Sequence, residues 1–202
     1  MRPLRSFFML LCLGIFGLLL GGCASTRLVD SDVQAFSQLQ ALPVPATYRF
    51  ERLPSQQAYS AQQDKVEALA REALAKVGLV ENPRAPNFSA QVYARTDRLL
   101  SPDYWYDPFW GGWGGWGGWG GWGSGFYGGI SMRFPPPTEY RREVGLILRD
   151  IASGRVVYET HAQHDGVWSD DLPVFAAMFD AALQDFPMPP AGPRRINVEI
   201  PR

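Results

Sequence analysis

Cysteine, lysine and basic clusters are scarce in this chain of 202 residues. Its two cysteines, Cys12 and Cys23, both lie near the amino terminus, in a segment that is expected to be removed or modified. The remaining chain would then have no thiol for a disulfide, a zinc–thiolate site or a cysteine nucleophile. The 19 basic residues are scattered, with pairs only at Arg141-Arg142 and Arg194-Arg195. Nucleic acid is therefore not an expected partner.

The first 22 residues have the layout of a lipoprotein signal peptide that is cleaved before Cys23. Arg2 and Arg5 form a positively charged start, and an apolar stretch follows from Phe7 to Leu20. This stretch is shorter than the roughly 20 residues that a permanent membrane-spanning helix needs. It ends in Leu20-Gly21-Gly22-Cys23, which has the form of a lipobox. The two glycines keep the chain slim at the cleavage site, and the cysteine thiol is the nucleophile that accepts a diacylglyceryl group.

Lipidation of Cys23 predicts a membrane anchor. Cleavage frees an amine that can take a further acyl chain, and several acyl chains hold a protein stably at a membrane. Ala24 follows the cysteine where aspartate would favour the inner membrane, so the expected location is the outer membrane with the domain in the periplasm. An ordinary cleaved signal, or a signal anchor with an incidental cysteine, is the alternative. Without Arg2 and Arg5 the chain has 17 basic and 20 acidic residues, a net charge of −3.

The chain divides into four expected segments, of which one is a folded domain. These are a signal peptide at 1–22, a lipidated amino terminus with a linker or first strand at 23–46, a single domain at 47–188 that carries a Gly/Trp-rich insertion at 101–138, and a carboxyl-terminal extension with a short strand at 189–202.

Two amphipathic helices are predicted from the spacing of apolar residues. The first begins at Ser60 with capping-box spacing and ends at Gly78, which suits the left-handed conformation. The second begins near Asp170 or Asp171 and stops at Pro187. The apolar face of the first helix consists of Val66, Leu69, Ala70, Ala73, Leu74 and Val77.

Alternating apolar and polar residues predict the strands that surround these helices. They lie at 47–53 and 88–95, in a hairpin of 144–148 with 156–162, and at 196–200. The order of elements predicts an α+β fold: a mostly antiparallel sheet with two helices packed on one face and a long Gly/Trp-rich loop at a hairpin tip. The other face is expected to be open to solvent. Its polar residues would be Arg49, Glu51, Gln91, Arg95, Glu143 and Glu159.

Several motifs together carry a family resemblance. They are Cys23-Ala24-Ser25, the strand Thr47-Tyr48-Arg49-Phe50, the Ala-rich helix closing at Gly78-Leu79, the Gly/aromatic segment, the hairpin of 144–150 with 156–158, and the helix ending at Phe186-Pro187. Over nearly the whole mature chain, the pattern resembles the domain-of-unknown-function 4136 family of bacterial lipoproteins. Asn87-Phe88 departs from the family's usual Asp-plus-apolar pair, and Tyr158 stands where tryptophan is usual. The resemblance implies this fold and location, and no catalytic residues.

Five tryptophans recur at every third position in a run of glycines. This Gly–Trp ladder consists of Trp110, Trp113, Trp116, Trp119 and Trp122, and no charged residue lies between Asp107 and Arg133. In a β-strand a period of three would send successive rings to opposite faces. In a polyproline II helix it would align them along one edge, about 9 Å apart. A repeat-expanded loop without a specific use is the alternative.

Three kinds of partner suit the ladder. Tryptophan prefers the headgroup zone of a bilayer, its rings stack on sugars such as those of peptidoglycan, and exposed aromatic patches mark protein interfaces. The predicted function is therefore binding or scaffolding in the cell envelope through the ladder, with phospholipid, peptidoglycan or an envelope protein as partner. The alternative is a structural accessory subunit that docks through the exposed sheet face.

The sequence contains no catalytic signature. We therefore predict that the protein is not an enzyme and that it binds no cofactor and no metal. His161 and His164, with Asp165, are the only candidates for a metal or acid–base site. In a strand, a spacing of three places the two imidazoles on opposite faces, which is wrong for chelation. They are interpreted as surface histidines near a strand end. The glycines do not lead into a helix, so they do not form a phosphate-binding loop.

Overall fold

The computed structural model describes residues 26–99 and 138–201 of the chain. Cys23, the signal peptide and the five tryptophans of the Gly–Trp ladder lie outside the described residues. Within the described ranges the chain forms seven strands in one sheet and three helices. The α+β class is confirmed.

Along the chain, two strands are followed by two helices, four strands, a third helix and a last strand. They are β1 (Thr26–Ser37), β2 (Thr47–Phe50), α1 (Pro54–Ala58), α2 (Ser60–Lys76), β3 (Val80–Glu81), β4 (Phe88–Leu99), β5 (Glu139–Asp150), β6 (Val156–Gly166), α3 (Asp171–Ala182) and β7 (Arg194–Pro201). Across the sheet the strand order is β3-β2-β4-β5-β6-β1-β7.

The sheet is mixed, which refines the mostly antiparallel prediction. From β4 to β7 each strand is antiparallel to its neighbour, whereas β2 is parallel to both β3 and β4. Parallel neighbours need a crossover, and the helices α1 and α2 supply it after β2. The sequence did not predict the third helix, α1, because its five residues have no apolar periodicity. Pro54 is the first residue of this helix and does not end the preceding strand.

The two strands that the sequence suggested at the chain ends are both in this sheet. β1 runs for 12 residues between β6 and β7, and β7 pairs with β1 from Arg194 to Pro201. The sheet therefore extends beyond residues 47–188 on both sides. Because β1 is paired along both edges, the segment that follows the predicted lipidation site is part of the folded core and not a linker.

The core lies between one face of the sheet and the helices α2 and α3, which also pack against each other. The predicted face of α2 is confirmed: Val66, Ala70, Ala73 and Leu74 are buried, and Leu69 and Val77 pack against the core. Facing them are alternate residues of the strands, among them Val29, Val92, Leu146 and Ala162. α3 ends at Ala182, earlier than the predicted stop at Pro187, because the chain then turns and Asp185 takes a φ of 62°.

Two buried tyrosines are expected to make the stability of the folded protein depend on pH in the alkaline range. Burial raises the pKa of Tyr48 and of Tyr158 to about 12 each, above the ordinary value of 10. The hydroxyl of Tyr158 donates to the Ala182 carbonyl at 3.3 Å, whereas the hydroxyl of Tyr48 has no hydrogen-bond partner within residues 26–99 and 138–201. The neutral phenols favour the folded state, so stability is fully present below pH 10 and is lost as the pH rises from 10 to 12.

Replacing Tyr48 by phenylalanine is expected to leave the free energy of unfolding at pH 7 unchanged within about 1 kcal/mol, because the hydroxyl that is removed is unpaired. At pH 11 to 12 the same variant should be more stable than wild type, since one ionising phenol is absent. Tyr158→Phe is the matched control: it loses a hydrogen bond and should cost about 1 kcal/mol at pH 7. Urea unfolding at both pH values measures the effect. A large loss for Tyr48→Phe at pH 7 would contradict it.

Candidate functional site at one end of the sheet

The insertion and the amino terminus leave the domain at the same end of the sheet. β4 ends at Leu99, which pairs with Glu139 at the start of β5, so the insertion joins these two residues. β5 pairs with β6, and β6 with β1, antiparallel each time. β6 therefore ends, and β1 begins, at the end of the sheet where the insertion leaves. We call this end, marked by Thr26, Leu99, Glu139 and Gly166, the insertion end.

The distances across this end are short. β1 and β4 are three strands apart, which corresponds to about 14 Å at a spacing of about 4.8 Å. Cys23 precedes Thr26 by three residues, and a chain of that length reaches at most about 11 Å. The start of β1 at Thr26 and the base of the insertion at Leu99 therefore lie at one end of the domain, although they are far apart in sequence.

A row of polar side chains crosses the helix-facing side of the sheet near the insertion end. Thr96 pairs with Arg142 and Arg142 with His164, and the β1–β6 register places Ser31 beside His164. Each of the four has one buried polar atom without a hydrogen-bond partner among the described residues: Oγ1, Nη1, Nε2 and Oγ respectively. Burying unpaired polar atoms in this way destabilises the core.

Arg142 connects this row to the start of α3. Its side chain is fully buried, its Nε donates to Oδ1 of Asp171 at 2.7 Å, and its Nη2 donates to the backbone oxygen of Trp168. The guanidinium carbon lies 5.1 Å from the centre of the Tyr140 ring. The arginine therefore fastens the segment between β6 and α3 to the middle of the sheet.

Arg27 makes a second connection, from the first residues of β1 to the same segment. Its two terminal nitrogens donate to the carboxylate of Asp170 at 2.6 and 2.5 Å, and its guanidinium carbon lies 5.0 Å from the centre of the Trp168 ring. The hydrogen bonds from Arg27 lower the pKa of Asp170, and those to Asp170 raise the pKa of Arg27. Charged, bidentate pairs of this kind hold a fixed geometry.

The two histidines lie on opposite faces of β6, as predicted, but His164 is not a surface residue. It is buried, with Nδ1 at 2.7 Å from the backbone oxygen of Asp30 and 3.2 Å from its carboxylate. The sequence contained the signal, since His164 continues the alternation of Tyr158, Thr160 and Ala162. Among residues 26–99 and 138–201, no group of three or more histidine, cysteine or acidic residues could hold a metal ion.

The opposite face of the sheet is polar and open, as expected, because α2 and α3 both pack on the other side. Arg49 and Glu159 are exposed there. The ring of Tyr93 lies over Gly145, where an added Cβ would meet ring atoms at 2.2 Å. Glu143 accepts from the Tyr93 hydroxyl at 2.7 Å and pairs with Arg95 at 2.6 Å. This network holds the partly exposed ring in one orientation.

A cavity of about 610 Å³ lies at the end of the sheet opposite the insertion end. Its walls include Phe36, Val157, Tyr158 and Met188. In the described part of the chain, no helix is long and apolar enough to cross a membrane.

The family whose description is "Domain of unknown function (DUF4136)" matches residues 29–188, from β1 to just beyond α3. The chain belongs to this family. The resemblance drawn from the sequence is thereby confirmed. The match covers six of the seven strands, all three described helices and the insertion of this DUF4136 protein, whereas β7 lies beyond it. No curated protein matches the chain.

Some solved structures are similar in outline. A PDZ domain protein from Parabacteroides distasonis ATCC 8503 has 14% identity and a TM-score of 0.49, over 87% of this chain and 39% of that one. A PelC dodecamer from Paraburkholderia phytofirmans has 11% identity and a TM-score of 0.45, over 76% of this chain and 94% of that one. The DUF4136 chain thus spans well under half of the first protein. Similarity at this level carries no argument about function.

Proposed function

We propose that this DUF4136 protein is an outer-membrane lipoprotein, anchored through Cys23, whose periplasmic domain binds or scaffolds envelope components through the Gly–Trp ladder. The observation that supports it is the shared exit of the insertion and the amino terminus at the insertion end. A lipid on Cys23 would bring that end of the sheet to the bilayer. The ladder would then start close to phospholipid headgroups, where tryptophan is favoured, and close to the peptidoglycan that faces them.

The proposed role is not enzymatic. In the polar row, Ser31, Arg142 and His164 are buried, and Arg142 is already paired with Asp171. Arg27, at the start of β1, is likewise paired with Asp170. Nothing in that arrangement presents a nucleophile or an acid–base pair to a substrate. Binding through an extended aromatic segment requires no such groups, since apolar and stacking contacts supply the affinity.

Tryptophan emission tests the proposal. Acyl-free protein, residues 24–202, is expected to show a blue shift on adding phospholipid vesicles, because five of the seven tryptophans lie in the ladder. Replacing the five ladder tryptophans by serine should abolish the shift, while Trp105 and Trp168 remain as internal controls. Isolated peptidoglycan in place of vesicles distinguishes the glycan partner. Unchanged binding by the five-serine variant would show that the ladder is not the segment that binds.

A structural accessory role through the open sheet face is the second candidate. It is favoured by the fixed network of Tyr93, Glu143 and Arg95 on a face that no described helix covers. Deleting residues 110–122 separates the two: the deletion should abolish the first function and leave docking through the sheet intact. Reversing the charge of Arg95 should abolish docking through the sheet face and leave binding through the ladder intact.

A further inference from the structure

An apolar patch lies at the insertion end of the domain, outside the insertion itself. Leu28, Val167 and Leu172 are 53%, 52% and 46% exposed. Leu28 is the third residue of β1, Val167 directly follows β6, and Leu172 is the second residue of α3. The β1–β6 register, continued from Asp32 and Gln163, brings Leu28 level with Val167. We call these three side chains the end patch.

Leu172 belongs to the same end because of the direction in which α3 runs. Asp171 accepts from Arg142 near the start of β5, whereas the carbonyl of Ala182 accepts from Thr160, farther along the sheet. The first turn of α3 is therefore at the insertion end and its last turn points away from it. The end patch consequently lies on both sides of this end of the sheet. Leu28 alternates with the buried Arg27 and Val29 and so faces the open side, whereas Leu172 belongs to the helix layer.

The chain between Cys23 and the end patch is both short and held. Only Ala24 and Ser25 lie between Cys23 and Thr26 in the sequence. Arg27, the residue after Thr26, is buried by its pairing with Asp170 and its contact with the Trp168 ring. A long flexible linker would let a domain turn freely, but this connection reaches at most about 11 Å before it enters the sheet. A lipid at Cys23 would keep the insertion end against the membrane.

We propose that the end patch rests on the phospholipid bilayer, in the leaflet that holds the lipid of Cys23, and so fixes the orientation of the domain. The proposal depends on the proposed lipidation. A patch of three side chains binds a bilayer only weakly alone, but the short connection gives it a high effective concentration at the surface. The nearest exposed charge is that of Glu199, which pairs with Leu28 across β1 and β7, and Arg98 and Glu139 lie at the same end on β4 and β5. The charges at this end are of both signs, so the contact is mainly apolar and should change little with salt.

The test uses the full lipidated protein with single cysteines at Val167→Cys and Leu172→Cys, each carrying the polarity-sensitive dye NBD. In lipidated protein Cys23 is modified and Cys12 is removed, so only the introduced thiol reacts. Matched controls at the other end are Ile151→Cys and Val44→Cys, at sites that are 40% and 99% exposed. The protein is reconstituted into vesicles of phosphatidylethanolamine and phosphatidylglycerol, with and without brominated acyl chains.

Dyes at positions 167 and 172 are expected to shift to the blue and to be quenched by brominated lipid, while those at 44 and 151 keep their solvent emission. Solvent-like emission at all four positions, in protein that floats with the vesicles, overturns the end-patch proposal and leaves the lipid anchor intact. Protein that does not float, and has no acyl mass, overturns the anchor. A blue shift at 167 and 172 that grows with protein concentration without vesicles shows a second copy on the patch, and overturns the bilayer assignment.

Discussion

Replacing Arg142 by alanine is expected to lower the free energy of unfolding by about 2–4 kcal/mol. The substitution removes the donors to Asp171 and to the Trp168 carbonyl and leaves a cavity under the start of α3. The loss should stay below that of a fully enclosed ion pair, because the side chain of Asp171 is 40% exposed and regains water. Urea unfolding followed by circular dichroism measures the change.

The neighbouring arginine provides the control. Arg141 also lies in β5 and also pairs with an aspartate, Asp165, at 3.1 and 3.0 Å, but its side chain is 44% exposed on the open face. Arg141→Ala should cost less than about 1 kcal/mol, as exposed pairs do. Equal losses for the two variants would show that burial of Arg142 contributes nothing. A lower free energy of unfolding for Arg142→Ala but not for Arg141→Ala would show that the effect comes from the position of Arg142 under α3.

Replacing Cys23 by serine is expected to remove the protein from the outer-membrane fraction and to abolish the acyl mass of its amino terminus. A serine hydroxyl does not take the place of the thiolate as nucleophile for the diacylglyceryl group. Each buried CH₂ of an acyl chain contributes about 0.8 kcal/mol, so several chains outweigh any contact of three exposed side chains. Membrane fractionation and mass spectrometry of the intact protein measure both effects.

Cys12→Ser is the matched substitution for this experiment. It makes the same chemical change within the apolar stretch of the signal peptide, where no lipid is expected. Fractionation and acyl mass should be those of the wild type. If Cys23→Ser stayed in the outer membrane without acyl mass, the domain would be held there by protein or ladder contacts, and lipid anchoring would be wrong.

Sequence periodicity predicted most elements because burial imposes it locally. The face of α2, the hairpin of β5 with β6, and the alternation in β4 each follow from neighbours within a few residues. The errors lie where local signals are weak or compete. α1 has too few residues for a period, and α3 ends where a turn at Asp185 outweighs a helical pattern that continues to Phe186.

The candidate site was predictable only in part. The alternation of β6 extends to His164, so its burial could have been found, but the polar row beside it could not. Thr96, Arg142, His164 and Ser31 come from four strands, and only the pairing registers place them next to one another. A buried arginine is also rare enough that no composition rule would predict it.

Sequence alone determined the α+β class, the family and the faces of the main elements, because each depends on spacing along the chain. Local sequence motifs are also the basis of the predictions for Cys23 and for the ladder. Tertiary structure decided that β1 lies between β6 and β7, that Arg27 and Arg142 are buried under α3, and that the amino terminus and the insertion share one end. The physical reason is that strand order and register are set by contacts between residues far apart in sequence.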